Sequence, residues 1–262
     1  MSLNKRIISS LIGDLSADLP IIVYKTIGST NTEAKAAANE GKFKKAVFLA
    51  SEQTAGRGRL GRSFVSNSGK GLYLTILLGE EMPADFATSL TTYMATVAAR
   101  AIEALADVRV DIKWVNDLYV GGKKLSGILT EGKASGKGSY LSYAAVGIGI
   151  NLLEQKFPDD VKEIATTLER ECGTKIDVNE LAALIIKQFF DNLSLVGTKQ
   201  IAEEYKNRSF LIGKCVTVVK PTVEYEATVE DITDRCELVL TLKDGSSEIL
   251  STGEISNRIR VK

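Results

Sequence analysis

Apolar and polar positions along the chain follow two regimes, which meet near residue 212. Before that point, strand-like runs at 21–26, 46–52, 71–78, 108–113, 124–131 and 141–150 alternate with segments of helical character. The second, third and last runs are largely apolar, as expected of strands buried on both faces in the middle of a sheet. Residues 31–39 have high helix propensity, with Thr30 or Asn31 as the predicted cap. Residues 84–106, rich in Ala, Leu and Met, predict a long helix against the sheet. A short amphipathic helix is expected near the N-terminus, and further helices at 159–170, 179–195 and 199–207. After 212 come short strands at 214–220, 223–232, 237–242 and 248–251, with turns such as Lys243-Asp-Gly-Ser246 between them. This pattern predicts an α+β chain: a strand-and-helix unit over 1–210 and a small β-barrel over 211–262.

Composition narrows the function. The 33 basic residues balance 33 acidic ones, so no net field attracts nucleic acid or a membrane surface. Mean hydropathy is near zero, and no apolar run approaches the roughly 20 residues of a membrane span. The N-terminal stretch does not read as a secretion signal. Three cysteines without CxxC spacing (Cys172, Cys215 and Cys236) fit buried thiols in a cytoplasmic protein. The chain has no histidine. That removes Ser-His-Asp and Cys-His catalysis and the commonest zinc sites, and leaves hard cations such as Mg²⁺ on carboxylates and substrate phosphates.

The most informative segment is Gln53-Thr-Ala-Gly-Arg-Gly-Arg-Leu-Gly-Arg62. Glycines let a backbone fold closely over a ligand, and guanidinium forks match carboxylate and phosphate oxygens. The pattern points to a loop that encloses an anionic, phosphate-bearing ligand; a surface linker is the plain alternative. Gly56-x-Gly58-x-x-Gly61 spells a dinucleotide fingerprint, but the residues after it cannot open a helix, so that reading fails. Ser68-Gly-Lys-Gly71 likewise lacks the flanks of a phosphate-binding P-loop.

A second polar cluster, Lys113-Trp-Val-Asn-Asp117, lies where two strands reverse, at a sheet rim. Asn116-Asp117 could also be an ordinary turn. Lys124 faces away from Leu125 by strand alternation, so it either pairs with a carboxylate of the protein or receives an anionic ligand. In Val146-Gly-Ile-Gly-Ile-Asn151, Gly147 and Gly149 point to one face, where a ligand or a packed neighbour can approach closely.

In their order and spacing, Ser29-Thr30-Asn31, Gln53, Gly56-Arg-Gly-Arg59 with Gly61-Arg62, Lys113-Trp with Asn116-Asp117, Lys124-Leu-Ser-Gly127 and Gly147-Ile-Gly-Ile-Asn151 resemble the biotin–protein ligases. The resemblance implies a mixed β-sheet with helices on one side, then an SH3-like barrel. It implies adenylation of biotin by MgATP to biotinyl-5′-AMP, then transfer to a lysine of a biotin carboxyl carrier protein. By the same resemblance, Ser29, Thr30, Asn31 and Gln53 hydrogen-bond the ureido ring. Arg57, Gly58 and Arg59 close over the carboxylate and α-phosphate, and Lys124 offsets the charge that develops there. Gly127, Leu129, Gly147 and Gly149 line the biotin slot. Arg59, Arg62, Phe64, Lys113, Asn116 and Asn151 meet the nucleotide, and Asp117 meets Mg²⁺.

Two positions depart from the family pattern. Phe64 stands where a tryptophan usually stacks near adenine, which implies altered ATP affinity with activity retained. Val115 replaces a proline, which restores an N–H and frees φ at the pyrophosphate turn. The roughly 20 residues before the first strand are too few for the helix-turn-helix that some relatives carry, so no DNA binding is expected. Relatives often dimerise by joining sheet edges, and the sequence leaves a homodimer open. Lipoate–protein ligases share the chemistry but have motifs with a histidine, and their substrate needs no ureido-binding set. A biotin-sensing binder without turnover is the alternative from another class.

Overall fold

The computed structural model describes residues 2–220 and 222–256, so positions 257–262 of the expected C-terminal unit lie outside the described residues. In chain order the first elements are α1 (Lys5–Leu11), β1 (Ile21–Tyr24), α2 (Thr30–Asn39), β2 (Lys45–Ala50), β3 (Gly71–Leu78), β4 (Met82–Pro83) and α3 (Ala84–Leu105). There follow β5 (Asp111–Lys113), β6 (Asp117–Val120), β7 (Lys123–Ala134), β8 (Tyr140–Asn151), α4 (Leu168–Cys172), α5 (Val178–Asp191) and α6 (Lys199–Arg208). The last five strands are β9 (Cys215–Lys220), β10 (Val223–Ile232), β11 (Leu238–Leu242), β12 (Ser247–Leu250) and β13 (Glu254–Ser256).

The large sheet is mixed, ordered β1-β2-β3-β8-β7-β6-β5, with β4 added beside β8; only β1 and β2 run parallel. The three apolar runs, β2, β3 and β8, are neighbours in its interior, as their composition predicted. Alternation sorts their side chains between two faces. Val47, Leu49, Leu72, Leu74, Ile76, Val146, Ile148 and Ile150 join one core with residues of α1, α3, α5 and α6. Ala46, Phe48, Leu77, Tyr143 and Ala145 form a smaller cluster on the other face, under Ala34 and Ala37 of α2. The helical layer thus covers one side. The other carries only α2, and beside it Thr75, Gly147 and Gly149 are left for chemistry.

Three expectations need correction. Residues 159–170 are not one helix: turns run to Ile164, and only Leu168–Cys172 is α-helical. Lys124 N–H donates to Ile164 C=O, and Thr166 N–H donates to Lys124 C=O. This stretch therefore gives its backbone to a strand, and Thr167 caps the short helix that follows. Ser29, rather than Thr30 or Asn31, holds the N-cap position of α2, because the side chains of Thr30 and Asn31 are bonded elsewhere.

The C-terminal strands form an antiparallel sheet ordered β12-β11-β10-β9-β13 that does not close into a barrel. Its end strands β12 and β13 share no ladder, since β13 pairs with β9. Only Ser251-Thr-Gly253 separates these end strands in sequence. Four Cα steps reach at most about 14 Å, less than the roughly 19 Å width of five flat strands. The sheet must curl, bringing its edges near one another without hydrogen-bonding them. Its apolar face (Val216, Val218, Val229, Leu238, Leu240 and Ile255 among others) is continuous with the main core.

Candidate active site

On the face that carries α2, a cavity of about 620 Å³ runs from the N-terminus of that helix to the C-terminal sheet. Every site residue singled out in the sequence lines it. At one end the groups are neutral and polar. Ser29, Thr30 and Asn31 are each 4% exposed. Thr30 donates from both its N–H and its hydroxyl to Gln53 Oε1, at 2.8 and 3.1 Å. Gln53 Nε2 donates to Ser66 Oγ at 3.0 Å. The Thr75 hydroxyl lies 2.8 Å from Thr30 Oγ1 and 2.7 Å from Asn31 Oδ1. Asn31 Nδ2 donates to Leu129 C=O and to Glu131. The Ser29 hydroxyl makes no capping bond to α2.

Both glycines of β8 mark close approaches. A Cβ on Gly147 would fall 2.1 Å from Asn31 Oδ1, and one on Gly149 would fall 2.4 Å from the Phe64 ring. The same ring lies 3.5 Å from the Cβ position of Gly127. Phe64 therefore lies across the floor between two of the glycines. It comes from a loop folded back on itself, with Gly58 N–H bonded to Arg62 C=O and Phe64 N–H to Gly56 C=O. Leu60, at that loop's turn, has a positive φ of 53° and is 75% exposed.

The other end is charged. Lys124 Nζ lies 2.7 Å from Asp117 Oδ1, which places the lysine against a carboxylate of its own chain. Burial pushes the Lys113 ammonium below the ordinary lysine range, and neighbouring Asp117 only partly opposes this. Arg59 donates to Asn116 Oδ1 at 3.1 Å and to Gly253 C=O at 3.0 Å, and Arg62 pairs with Glu254 at 2.5 Å. The turn at 113–117 is held from several sides: Trp114 Nε1 donates to Cys236 C=O, Tyr205 Oη to Val115 C=O, and Asn116 Nδ2 to Ile128 C=O. Its Trp114–Val115 peptide bond is cis. Two charged loops of the main unit are therefore anchored to the C-terminal sheet.

Sequence reasoning missed three groups. Val161, Ile164 and Ala165, from the stretch read as helix, and Phe157 just before it build an apolar wall. Val219, Glu224, Glu254 and Ile255 enter from the C-terminal sheet. Thr75 and Glu131 support the polar end from behind. Of these only Thr75 left a signal, as a hydroxyl in the otherwise apolar, fully buried strand β3.

Residues 23–151 match the model of the biotin/lipoate A/B protein ligase family, and residues 211–258 match that of the biotin protein ligase C terminal domain. A biotin--[acetyl-CoA-carboxylase] ligase of Paracoccus denitrificans is 32% identical over 221 residues, which are 81% of this chain and 90% of that protein. The chain belongs to the biotin/lipoate A/B protein ligase family. Within the family, the bifunctional ligase/repressor BirA of Bacillus spizizenii is 38% identical over 159 residues, 60% of this chain. The match spans about half, 48%, of that relative's length. The biotin protein ligase of Aquifex aeolicus, solved with biotin and ATP, has the same fold. Its TM-score is 0.74 at 24% identity, covering 90% of this chain and 97% of the other.

Proposed function

We propose that this ligase-family chain biotinylates a lysine of a biotin carboxyl carrier protein, using ATP and passing through biotinyl-5′-AMP. The observation that carries this reading is the polarity of a single cavity, whose neutral hydrogen-bonding end faces a cluster of five cationic side chains, Arg57, Arg59, Arg62, Lys113 and Lys124. A ureido ring presents two N–H donors and one carbonyl acceptor, and burial leaves all of them needing partners. Ser29, Thr30, Asn31 and Gln53 supply both kinds. The valerate carboxylate then points toward the cations, where ATP phosphates also belong.

In the first step, a carboxylate oxygen of biotin attacks the α-phosphorus and pyrophosphate leaves. Arg57, Arg59 and Lys124 offset the charge that builds on the acyl phosphate, and Lys113, Arg62 and Asn116 hold the departing phosphates. Asn151 meets the nucleoside, while the Phe64 ring, expected beside adenine, lies against Gly127 and Gly149 on the biotin side of the cavity. In the second step, the acceptor amine attacks the acyl carbon, AMP leaves, and the amine gives up a proton. The closed loop 56–66 keeps water from the anhydride.

Mg²⁺ arrives with ATP. No group of three or more His, Cys, Asp or Glu side chains among the described residues is arranged to hold a metal. A single carboxylate, Asp117, fits a cation whose remaining ligands are phosphate oxygens and water. The catalytic unit is read as 1–210 and the C-terminal unit as 211–262. The reading places the protein in the cytoplasm, where its carrier substrate is made, and assigns it no DNA binding. No helix among the described residues is long and apolar enough to cross a membrane. Strand β1 leaves one sheet edge unpaired among the described residues, and a second copy joining that edge is the homodimer the sequence left open.

The test is ATP–pyrophosphate exchange with biotin, with lipoate and with neither. Exchange with biotin alone is expected. Exchange with lipoate would overturn the substrate, and biotin binding without exchange would make the protein a sensor.

A further inference from the structure

The polar end of the cavity contains a chain of hydrogen bonds whose direction is fixed only at its two ends. At one end, the Thr30 backbone N–H can only donate, so the atom of Gln53 facing it is an oxygen. The Thr30 hydroxyl lies 3.1 Å from that oxygen and 2.8 Å from Thr75 Oγ1 and shares its one proton between them, which leaves the Thr75 proton for Asn31 Oδ1. At the other end, Asn31 has an amide that could sit either way round. Its Nδ2 faces two acceptors, Leu129 C=O at 3.1 Å and Glu131 Oε2 at 2.9 Å, which use both of its protons. Reversed, the amide would set its oxygen against a carbonyl and a carboxylate, and its NH₂ where the Thr75 hydroxyl now donates.

Glu131 is held in turn. Its Oε1 lies 2.5 Å from Lys35 Nζ, one helical turn beyond Asn31 on α2, and both side chains are 24% exposed. Burial is the largest single influence on its carboxyl and pushes it up. The bonds from Lys35 and Asn31, with Arg57 nearby, outweigh burial and hold the group below the usual carboxylate range. Glu131 does not line the cavity.

We propose that Glu131 is a positioning residue for substrate recognition: acting through Asn31, it keeps an oxygen acceptor facing the site where a ureido N–H is bound. This rests on the biotin reading above and adds to it what sets the donor and acceptor pattern of the pocket. An ionised carboxylate suits this role because it offers Asn31 only acceptors. A glutamine at 131 could present its own NH₂ and let the Asn31 amide turn over.

The test is equilibrium binding of biotin by calorimetry, with KM for ATP and thermal midpoint measured alongside, for Glu131→Gln, Asn31→Ala and the double variant. Losing one buried, oriented acceptor predicts about tenfold weaker biotin binding by Glu131→Gln. KM for ATP should stay within about twofold, because the charged end of the cavity is untouched. In the Asn31→Ala background, Glu131→Gln should change biotin affinity no further, since its effect passes through that amide. Lys35→Met is a second probe that leaves the carboxylate in place. It should weaken biotin binding by less than Glu131→Gln does, again sparing ATP.

Unchanged biotin affinity in Glu131→Gln, equal losses for biotin and ATP, or additive losses in the double variant would overturn the proposal. If Glu131→Gln does not fold, Lys35→Met decides: unchanged biotin affinity, or a loss shared with ATP, would overturn it. Failure of the unsubstituted protein to bind biotin would instead overturn the functional reading.

Discussion

Lys124 faces Asp117 across 2.7 Å and so is oriented before any substrate arrives. Removing it leaves Asp117 without its cation at the point where anionic groups must meet. Lys124→Ala should nearly abolish biotin-dependent pyrophosphate exchange, and near-normal exchange would refute the role given to this lysine. Gly147 makes a different demand. Its missing Cβ is where Asn31 Oδ1 sits, and Asn31 is tied to Leu129, Glu131 and Thr75 and cannot step aside. Gly147→Ala should cost about 1–3 kcal/mol of stability by overpacking and weaken biotin by at least about tenfold through the displaced amide. A denaturant titration and a biotin isotherm check the two halves. These residues stood out in the sequence because arginines among glycines, a lysine on a strand and paired glycines each call for a close neighbour, although the pattern alone left open whether that neighbour was a ligand or the protein itself. Thr75 and Glu131 did not, because a threonine in a strand and a glutamate near a lysine look ordinary until their partners 44 and 100 positions away are known.

Among the elements, runs with one strong period were legible, and segments whose backbone is claimed by distant partners were not. Strands β3 and β10 and helix α3 fall where their patterns put them. The stretch 159–167 has helix-forming composition, yet its carbonyls and amides are used by Lys124, and no local rule could show that. Strand β13 was also missed, being three residues long, although it carries Glu254 to Arg62. The Arg62 side chain is 70% exposed, so this pair adds little to stability. Its effect belongs to the loop. Glu254→Ala should raise KM for ATP by up to about fivefold, the span an exposed pair can supply, with biotin affinity unchanged. Steady-state kinetics with each substrate varied in turn would show the split, and an equal rise in both constants would place Glu254 elsewhere in the cycle.

For the whole molecule, the boundary near 210 divides sequence patterns more sharply than it divides the core. Apolar residues of the C-terminal sheet continue the main core, and Trp114 reaches across to bond Cys236 C=O at 2.8 Å. With its apolar face given to that shared core, a unit of only about 50 residues buries too little surface to be stable on its own. Thermal unfolding followed by circular dichroism and by calorimetry should therefore give one cooperative transition with coincident midpoints. Two separated transitions would mean that the C-terminal sheet folds independently. Sequence gave no hint of this shared core, because alternation in short strands shows which face is buried and not what lies against it.

Trp114 is the only tryptophan in the chain; it is 5% exposed, and it lines the cavity while its indole N–H is bonded to the C-terminal sheet. Emission excited at the red edge of protein absorbance therefore comes from one indole, placed where the two sheets meet beside the charged end of the site. Undocking of the small sheet would expose that ring to water and shift its emission to longer wavelength. Phosphates settling near Lys113 would change the local field with the ring still buried. The protein thus carries its own optical probe, able to report loading of the site and separation of its two sheets without an added label.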